Sequence, residues 1–324
     1  MSLVEIESFT LDVQVVEASA RVIHEVSFKL EAGQSIGIVG ESGSGKSLTL
    51  RAIAGLSPEN SVVGGKISFQ GEEVSAMDRE RLMQYRSSQV AMIFQDPRSA
   101  INPVRKVGDF LTENVVTNLG WSKSDAKTKA IEVLTEVGIS NPEKQLKAFP
   151  SELSGGMLQR VMIASNLLCQ PDLLLADEPT TALDVTTQSS VMALIDQLRL
   201  SRGMAMIFVS HNLELATAVC DKILVMYAGR IVELLPAENL REKSRHPYTR
   251  ALLDARPRLD GRQNRLNAIP GQPASGLEWT QGCTFAARCA FAQDICRSEV
   301  PVLRKIQESD VACHRADEID WDVS

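Results

Sequence analysis

The stretch GIVGESGSGKS, residues 37–47, constrains the fold of this chain more than any other feature. It follows the strand-like SIGIV and precedes the helix-like LTLRAIAGL. Glycines at such a turn let backbone N–H groups approach phosphate oxygens, and the helix that follows presents the positive end of its dipole. The stretch therefore predicts a phosphate-binding loop between a parallel strand and a helix of an α/β fold.

The loop also predicts which residues contact a nucleoside triphosphate. Lys46 is expected to reach the β and γ phosphates, and the Ser47 hydroxyl is expected to ligate Mg²⁺. The predicted contact residues are Gly40, Glu41, Ser42, Gly43, Ser44, Gly45, Lys46 and Ser47.

A pair of acids follows the apolar run LLLA at residues 173–176. Asp177 is expected to hold the magnesium shell, and Glu178 is placed to polarise an attacking water. Upstream, LSGGMLQR at residues 153–160 carries a second small-residue turn, Ser154–Gly156. One γ-phosphate does not need two phosphate-binding turns, so this second turn is expected to contact the nucleotide bound by another subunit.

The rest of the chain alternates strand-like and helix-like runs. DLLLAD, AMIFVS and KILVMY alternate with helical stretches at 185–202 and 213–219, which indicates a parallel sheet flanked by helices. Residues 104–169 are dominated by helical patterns and predict an insertion in the α/β core. The composition changes after Ala255, where we expect a domain boundary.

Charge and hydropathy narrow the class of protein. The net charge of -7 argues against a nucleic-acid-binding protein that contacts many backbone phosphates. The N-terminus lacks the pattern of a signal peptide, and no apolar run is long enough for a spanning helix. We therefore expect a cytosolic protein with mostly reduced thiols, whose membrane contact comes through a partner.

Together the motifs over residues 1–255 resemble the ATP-binding subunits of ABC transporters. FQD, TTALD and SHN stand in that family's order. The resemblance implies that Gln95 senses the nucleotide and ligates Mg²⁺, that Asp184 is the D-loop residue of the nucleotide site, and that His211 contacts the γ-phosphate. It also implies two subunits that sandwich two ATP molecules, and a helical subdomain at about 97–170.

Three further stretches resemble the branch that serves oligopeptides, dipeptides and nickel: FQDPRSAINPVRKVG, LSGGMLQRVMIA and RHPYTRALLDARP. This branch implies a second, non-identical ATPase subunit, two membrane permease subunits and an extracytoplasmic substrate-binding protein. It places the chain on the cytoplasmic face of the membrane and makes short peptides the expected cargo. A nickel or metal-chelate importer is the alternative, followed by a soluble, non-transport ATPase of the same family.

The C-terminal part, residues 256–324, gathers four of the six cysteines, with the spacing C-x5-C-x6-C-x16-C. A helix through residues 285–296 is expected to bring Cys289 and Cys296 to one face. On chemistry alone, the thiols of Cys283, Cys289, Cys296 and Cys313 suit an iron–sulfur cluster, a zinc ion or simple burial. The resemblance favours a [4Fe–4S] cluster, with Zn²⁺ as the alternative.

Overall fold

The computed structural model describes residues 2–15, 18–181, 184–255, 269–278 and 281–319. The chain forms two compact units that each combine distant parts of the sequence. Unit 1 comprises residues 1–3, 30–35 and 72–208, and unit 2 comprises residues 4–29, 36–71 and 209–324.

The strands are, in chain order, β1 Ser2–Val15, β2 Ala18–Glu31, β3 Ser35–Val39, β4 Val62–Phe69, β5 Glu72–Glu73, β6 Val90–Ile93, β7 Leu173–Asp177, β8 Ala205–Ser210, β9 Lys222–Tyr227, β10 Arg230–Pro236, β11 Arg304–Ile306 and β12 Ser309–Val311. The helices are α1 Lys46–Ile53, α2 Arg79–Gln84, α3 Pro97–Ala100, α4 Val107–Thr117, α5 Lys123–Glu136, α6 Pro142–Gln145, α7 Gly155–Leu167, α8 Val185–Arg202, α9 Leu213–Val219, α10 Leu240–Lys243, α11 Pro247–Asp254 and α12 Asp294–Ser298.

In unit 1, β6 and β7 pair in parallel, and β8 is the neighbour of β7. Every residue of β7 is buried, as expected for a strand of a sheet with both faces covered. Helix α7 packs beside β6, where the Asn166 side chain accepts a hydrogen bond from the backbone N–H of Met92 at 3.0 Å. The residues that end β6 and β7 are therefore held in place by buried, well-packed neighbours.

Helices α3 to α7 occupy residues 97–167 of unit 1, between β6 and β7. Helix α4 packs against α5, and both pack against α7. Their apolar residues, such as Leu111, Val115 and Leu134, are fully or almost fully buried. The helices lie where the sequence predicts an insertion, and their assignment to a separate subdomain stays a prediction.

Unit 2 contains strands of two sheets. In the first, β1 pairs with β4 in antiparallel fashion, with an irregularity between Glu7 and Thr10, and β2 is the other neighbour of β1. In the second, β3 pairs with β9 in parallel, β9 with β10 in antiparallel fashion, and β12 joins β10. The parallel sheet predicted from the sequence is therefore mixed at this edge.

The C-terminal segment is joined to unit 2 through this second sheet. Glu233 and Leu234 of β10 pair with Val311 and Asp310 of β12, and β11 completes the hairpin. The predicted helix through 285–296 is wrong, since a short 3₁₀ turn ends at Arg288 and α12 begins only at Asp294. A separate domain at 256–324 stays a prediction.

Within the parts of the chain that the structure describes, no helix combines the length and the apolar character that a bilayer span requires.

Candidate functional site

The loop between β3 and α1 has the backbone shape that its glycines predict. Gly40 and Gly45 have φ of 153° and 99°, in the region that side chains rarely adopt. A Cβ at Gly40 would lie 2.2 Å from the carbonyl oxygen of Met226, and one at Gly45 would lie 2.4 Å from Cδ1 of Ile23. Both positions therefore require glycine, because the loop backbone lies against the strand and side chain beside it.

Lys46 is the first residue of α1, and its side chain turns back into the loop. Its Nζ donates hydrogen bonds to the carbonyl oxygens of Gly40 and Glu41, both at 2.9 Å. Ser47 follows in the first turn of the helix. An ammonium group and the N-terminal end of a helix together favour a bound anion, so the loop is suited to phosphate.

Sequence reasoning gave no role to Tyr248, although it lies in the RHPYTRALL stretch. Its hydroxyl accepts a hydrogen bond from the backbone N–H of Glu41 at 2.9 Å, within unit 2. Tyr248 is fully buried at the start of α11, with its ring centroid 4.6 Å from that of Tyr227. A buried side chain far along the sequence therefore fixes the second residue of the loop.

The acidic pair of unit 1 lies at the end of β7. Asp177 is 4% exposed, whereas Glu178 is half-buried and has a φ of 45°. The Glu178 carboxylate accepts hydrogen bonds from Nε2 of Gln95 at 3.3 Å and from Oγ1 of Thr181 at 3.0 Å. The unusual backbone and the two donors together orient this carboxylate.

Two other predicted site residues of unit 1 begin helices. Ser154 precedes α7, and its Oγ accepts a hydrogen bond from the N–H of Met157 at 3.3 Å. Asp184 precedes α8 and accepts from the N–H and the hydroxyl of Thr187, at 3.0 and 2.7 Å. Both side chains therefore accept hydrogen bonds from N–H groups at the start of a helix. Gly155 and Gly156 lie in the first turn of α7.

His211 belongs to unit 2 and lies between β8 and α9. Its side chain is exposed, and the next residue, Asn212, accepts hydrogen bonds from the N–H groups of Glu214 and Leu215. His211 therefore lies in a short loop before a capped helix, and its imidazole is exposed to solvent.

The predicted site residues are thus divided between the two units. Unit 1 holds Gln95, Ser154, Gly155, Gly156, Asp177, Glu178 and Asp184. Unit 2 holds residues 40–47, His211 and the four cysteines of the C-terminal segment. Within unit 1 the structure brings Gln95 and Glu178 into direct contact.

The four cysteines of the C-terminal segment line one small cavity. Besides Cys283, Cys289, Cys296 and Cys313, it is lined by side chains that include Phe285, Phe291 and His314. The N–H of Cys283 also donates to the carbonyl oxygen of Cys296 at 2.8 Å. The cysteines therefore meet without the helix that the sequence predicts.

Burial raises the pKa of the Cys283 thiol to about 12 and that of Cys313 to about 11, and the neighbouring thiols act in the same direction. The free thiols of Cys283 and Cys313 are therefore protonated at neutral pH, and a bound cation would reverse that preference. Among the described residues, no group of three or more His, Cys, Asp or Glu side chains is arranged to hold a metal ion.

Two family models match the chain. The ABC transporter model matches residues 23–181, and the model of the oligopeptide/dipeptide transporter C-terminal region matches residues 232–296. The first match includes the phosphate loop and the acidic pair, and the second includes Tyr248 and three of the cavity cysteines.

Curated relatives match nearly the whole chain. A probable peptide ABC transporter ATP-binding protein of Sinorhizobium fredii is 44% identical over 94% of this chain and 92% of its own length. The oligopeptide transport ATP-binding protein OppD of Salmonella typhimurium is 41% identical over 93% and 90%. The dipeptide transport ATP-binding protein DppD of Escherichia coli is 38% identical over 97% of each chain.

A solved structure supports the fold. The ATP-binding cassette MJ0796, in a dimeric post-hydrolysis state bound to ADP and Pi, matches with a TM-score of 0.64 at 24% identity, over 72% of this chain and 98% of its own. The α/β fold is therefore that of ATP-binding cassettes. The chain belongs to the family of ABC transporter ATP-binding proteins, in the branch that includes the oligopeptide and dipeptide transport proteins.

Proposed function

We propose that this chain is the ATP-hydrolysing subunit that powers import of short peptides through a membrane ABC transporter. The observation that carries the proposal is the phosphate loop, with Lys46 bonded into it, in a chain that also holds an oriented glutamate after β7. The peptide cargo is supported by the relatives, whose names specify peptide, oligopeptide or dipeptide transport.

The loop residues 40–47 bind the phosphates, with Lys46 as the cation. Ser47, Gln95 and Asp177 would hold Mg²⁺, which supplies charge neutralisation on the phosphate oxygens when it is bound. Serine, amide and carboxylate oxygens are ligands that Mg²⁺ accepts, so the donor set fits the ion.

Glu178 is the general base of the reaction. Its carboxylate orients a water and takes its proton, and Gln95 and Thr181 hold the carboxylate in position. His211 contacts the γ-phosphate. Because phosphoryl transfer needs positioning and charge stabilisation more than covalent chemistry, these side chains supply this chain's share of the site.

A second ATPase subunit completes the site. The turn at Ser154–Gly156 faces the nucleotide of the partner, and Asp184 lies at the contact between subunits. We propose a non-identical second ATPase, two membrane permease subunits and an extracytoplasmic substrate-binding protein. The chain then lies peripherally on the cytoplasmic face of the membrane.

We further propose that residues 1–255 form the ATPase domain, with its helical subdomain at about 97–170, and that residues 256–324 form a cysteine-bearing extension. We propose that Cys283, Cys289, Cys296 and Cys313 would hold a [4Fe–4S] cluster, with Zn²⁺ as the alternative, because four thiols line one cavity and thiolates suit either group.

Transport tests the main proposal. The chain is assembled in proteoliposomes with its co-expressed ATPase, permease and binding-protein partners, and uptake of a labelled tripeptide is measured with ATP on the ATPase side. Uptake should require ATP and disappear in Lys46→Ala, while Lys66→Ala, on an exposed part of β4, should behave as wild type. Nickel uptake without peptide uptake would favour the alternative cargo.

Metal analysis tests the cysteine proposal. Anaerobically purified protein should contain four iron atoms and four acid-labile sulfides per chain, as a cubane cluster requires. Cys283→Ser should lose both, whereas Cys169→Ser should retain them, since Cys169 lies in unit 1, outside the cavity. Stoichiometric zinc in place of iron would contradict the cluster.

A further inference from the structure

Arg288 of the C-terminal segment forms an ion pair with Glu41 of the phosphate loop, across 247 residues of sequence. Its Nη1 and Nη2 donate to the two carboxylate oxygens of Glu41, at 2.6 and 3.2 Å. The Arg288 side chain is 6% exposed and that of Glu41 is 22% exposed. A two-pronged, mostly buried pair is stronger and more directional than an exposed ion pair.

Arg288 is itself held in one orientation. Its Nε donates to the carbonyl oxygen of Pro270 at 2.8 Å, and Nη1 also donates to the Tyr227 hydroxyl at 3.2 Å. The guanidinium is a rigid fork, so these extra bonds fix the direction in which it meets the carboxylate. The contact therefore belongs to the folded segment and is not a chance approach of two mobile side chains.

Glu41 is an anion on a loop suited to a polyanion. Its N–H is bound by Tyr248, and its carbonyl oxygen accepts from Lys46. An unneutralised carboxylate at this position would repel phosphate groups through a partly desolvated medium, where charges are poorly screened. Arg288 supplies the neutralising charge.

Arg288 also links the loop to the cysteine cavity. It ends the 3₁₀ turn at 286–288, and the next residue is Cys289, whose N–H donates to the carbonyl oxygen of Ala286 at 3.4 Å. The position of the guanidinium is thus set by the same short turn that carries a cavity cysteine.

We propose that Arg288 is a positioning residue for nucleotide binding, which neutralises Glu41 and makes the affinity of the phosphate loop depend on the folded C-terminal segment. The inference rests on the proposed role of the loop in binding nucleotide. Since coupling between two sites is reciprocal, bound nucleotide in turn stabilises the segment around Arg288.

The test is the equilibrium affinity for MgADP, measured by calorimetry on the full chain. Arg288→Gln should raise Kd roughly tenfold, about 1.4 kcal/mol. Glu41→Gln/Arg288→Gln should return Kd to within about threefold of wild type, because the uncompensated anion is gone. Arg304→Gln, which breaks an exposed pair with Asp317 in the same segment, should leave Kd unchanged.

Steady-state kinetics give a second readout. Arg288→Gln should raise the KM for ATP with kcat largely retained, because the proposed effect is on binding. If Arg288→Gln does not fold, Arg288→Lys preserves the charge and should bind MgADP within about threefold of wild type.

Three outcomes overturn the proposal: an unchanged Kd in Arg288→Gln, a double variant as weak as Arg288→Gln, or a tenfold loss in Arg288→Lys. A wild-type chain that binds no MgADP would overturn the proposed function as well. Binding by wild type with no effect of Arg288→Gln would overturn this inference alone.

Discussion

The phosphate loop of unit 2 and the acidic end of β7 in unit 1 differ in how firmly they are held. The loop is held by buried groups: Lys46 bonds to its carbonyl oxygens, and Tyr248 holds the N–H of Glu41. Glu178 is half-buried and is held by Gln95 and Thr181, which are both exposed. Exposed hydrogen bonds break at little cost, so the chemical group can adjust while the binding loop stays preformed.

This contrast teaches that binding and chemistry are separable in the chain. A rigid loop contributes affinity, because its donors are already oriented before the phosphates arrive. The Glu178 carboxylate is held by exposed hydrogen bonds, so it supports ATP hydrolysis only when further groups of the assembled site fix its position. Variants of the loop should therefore change affinity, and variants of the acidic end should change turnover.

The largest expected effect is on turnover. Glu178→Gln keeps the shape of the side chain and loses the base, so kcat of the assembled transporter should fall about a thousandfold. Glu143→Gln, on an exposed part of α6, is the matched control and should hydrolyse ATP like wild type. Turnover within tenfold of wild type would show that Glu178 is not the base.

Next in size is the loss of loop affinity. Lys46→Ala removes the ammonium group of a residue that is 7% exposed, together with its two bonds to the loop, so Kd for MgADP should rise about a hundredfold. Calorimetry on the chain alone measures this, with Lys66→Ala as the control. An unchanged Kd would contradict the assignment of the loop.

A smaller change should follow from Gln95→Ala. Losing the 3.3 Å bond frees the Glu178 carboxylate, so kcat should fall about tenfold, whereas the Kd for MgADP should rise by only about threefold through the loss of one proposed Mg²⁺ ligand. Gln84→Ala, at an exposed position of α2, should be silent in both measurements. If the Kd for MgADP in Gln95→Ala rose as much as kcat fell, the proposed separation of a binding loop from a chemical group would be contradicted.

The smallest effect concerns pH. Burial raises the pKa of Glu233 to about 7, although the N–H groups of Arg245 and His246 donate hydrogen bonds to its carboxylate. A raised pKa in the folded state gives stability that is present below about 4.5 and lost as the pH passes 7. The melting temperature of wild type relative to that of Glu233→Gln should therefore fall by about 2–4 °C from pH 5 to pH 8. A difference between the two proteins that stays constant or rises over this range would contradict the assignment.

Much of the loop and of the acidic end follows from local sequence. Gly40 and Gly45 are needed for backbone geometry within a few residues, and Asp177 ends a strand whose apolar run is visible. Contacts that join distant residues, such as Arg288 with Glu41, leave no such periodic signal. The RHPYTRALL stretch is recognisable in the sequence as a resemblance to the peptide branch. Its structural role is not, because that role depends on the contact of Tyr248 with the phosphate loop.

The cysteine segment shows a different limit. Its apolar pattern suggested a helix, but the backbone turns at Arg288 and α12 starts only at Asp294, since the chain folds around the cavity instead. Likewise, the antiparallel pairing of β9 with β10 depends on the tight connection at Ala228 and Gly229, both with positive φ. Apolar periodicity alone does not distinguish these arrangements.

The most direct test of the central claim measures ATP affinity in Glu178→Gln and Lys46→Ala side by side, under conditions in which neither turns over. The account predicts that Glu178→Gln binds MgATP within about threefold of wild type, whereas Lys46→Ala binds about a hundredfold more weakly. Equal losses of affinity in the two variants would contradict the separation of a binding loop from a chemical group.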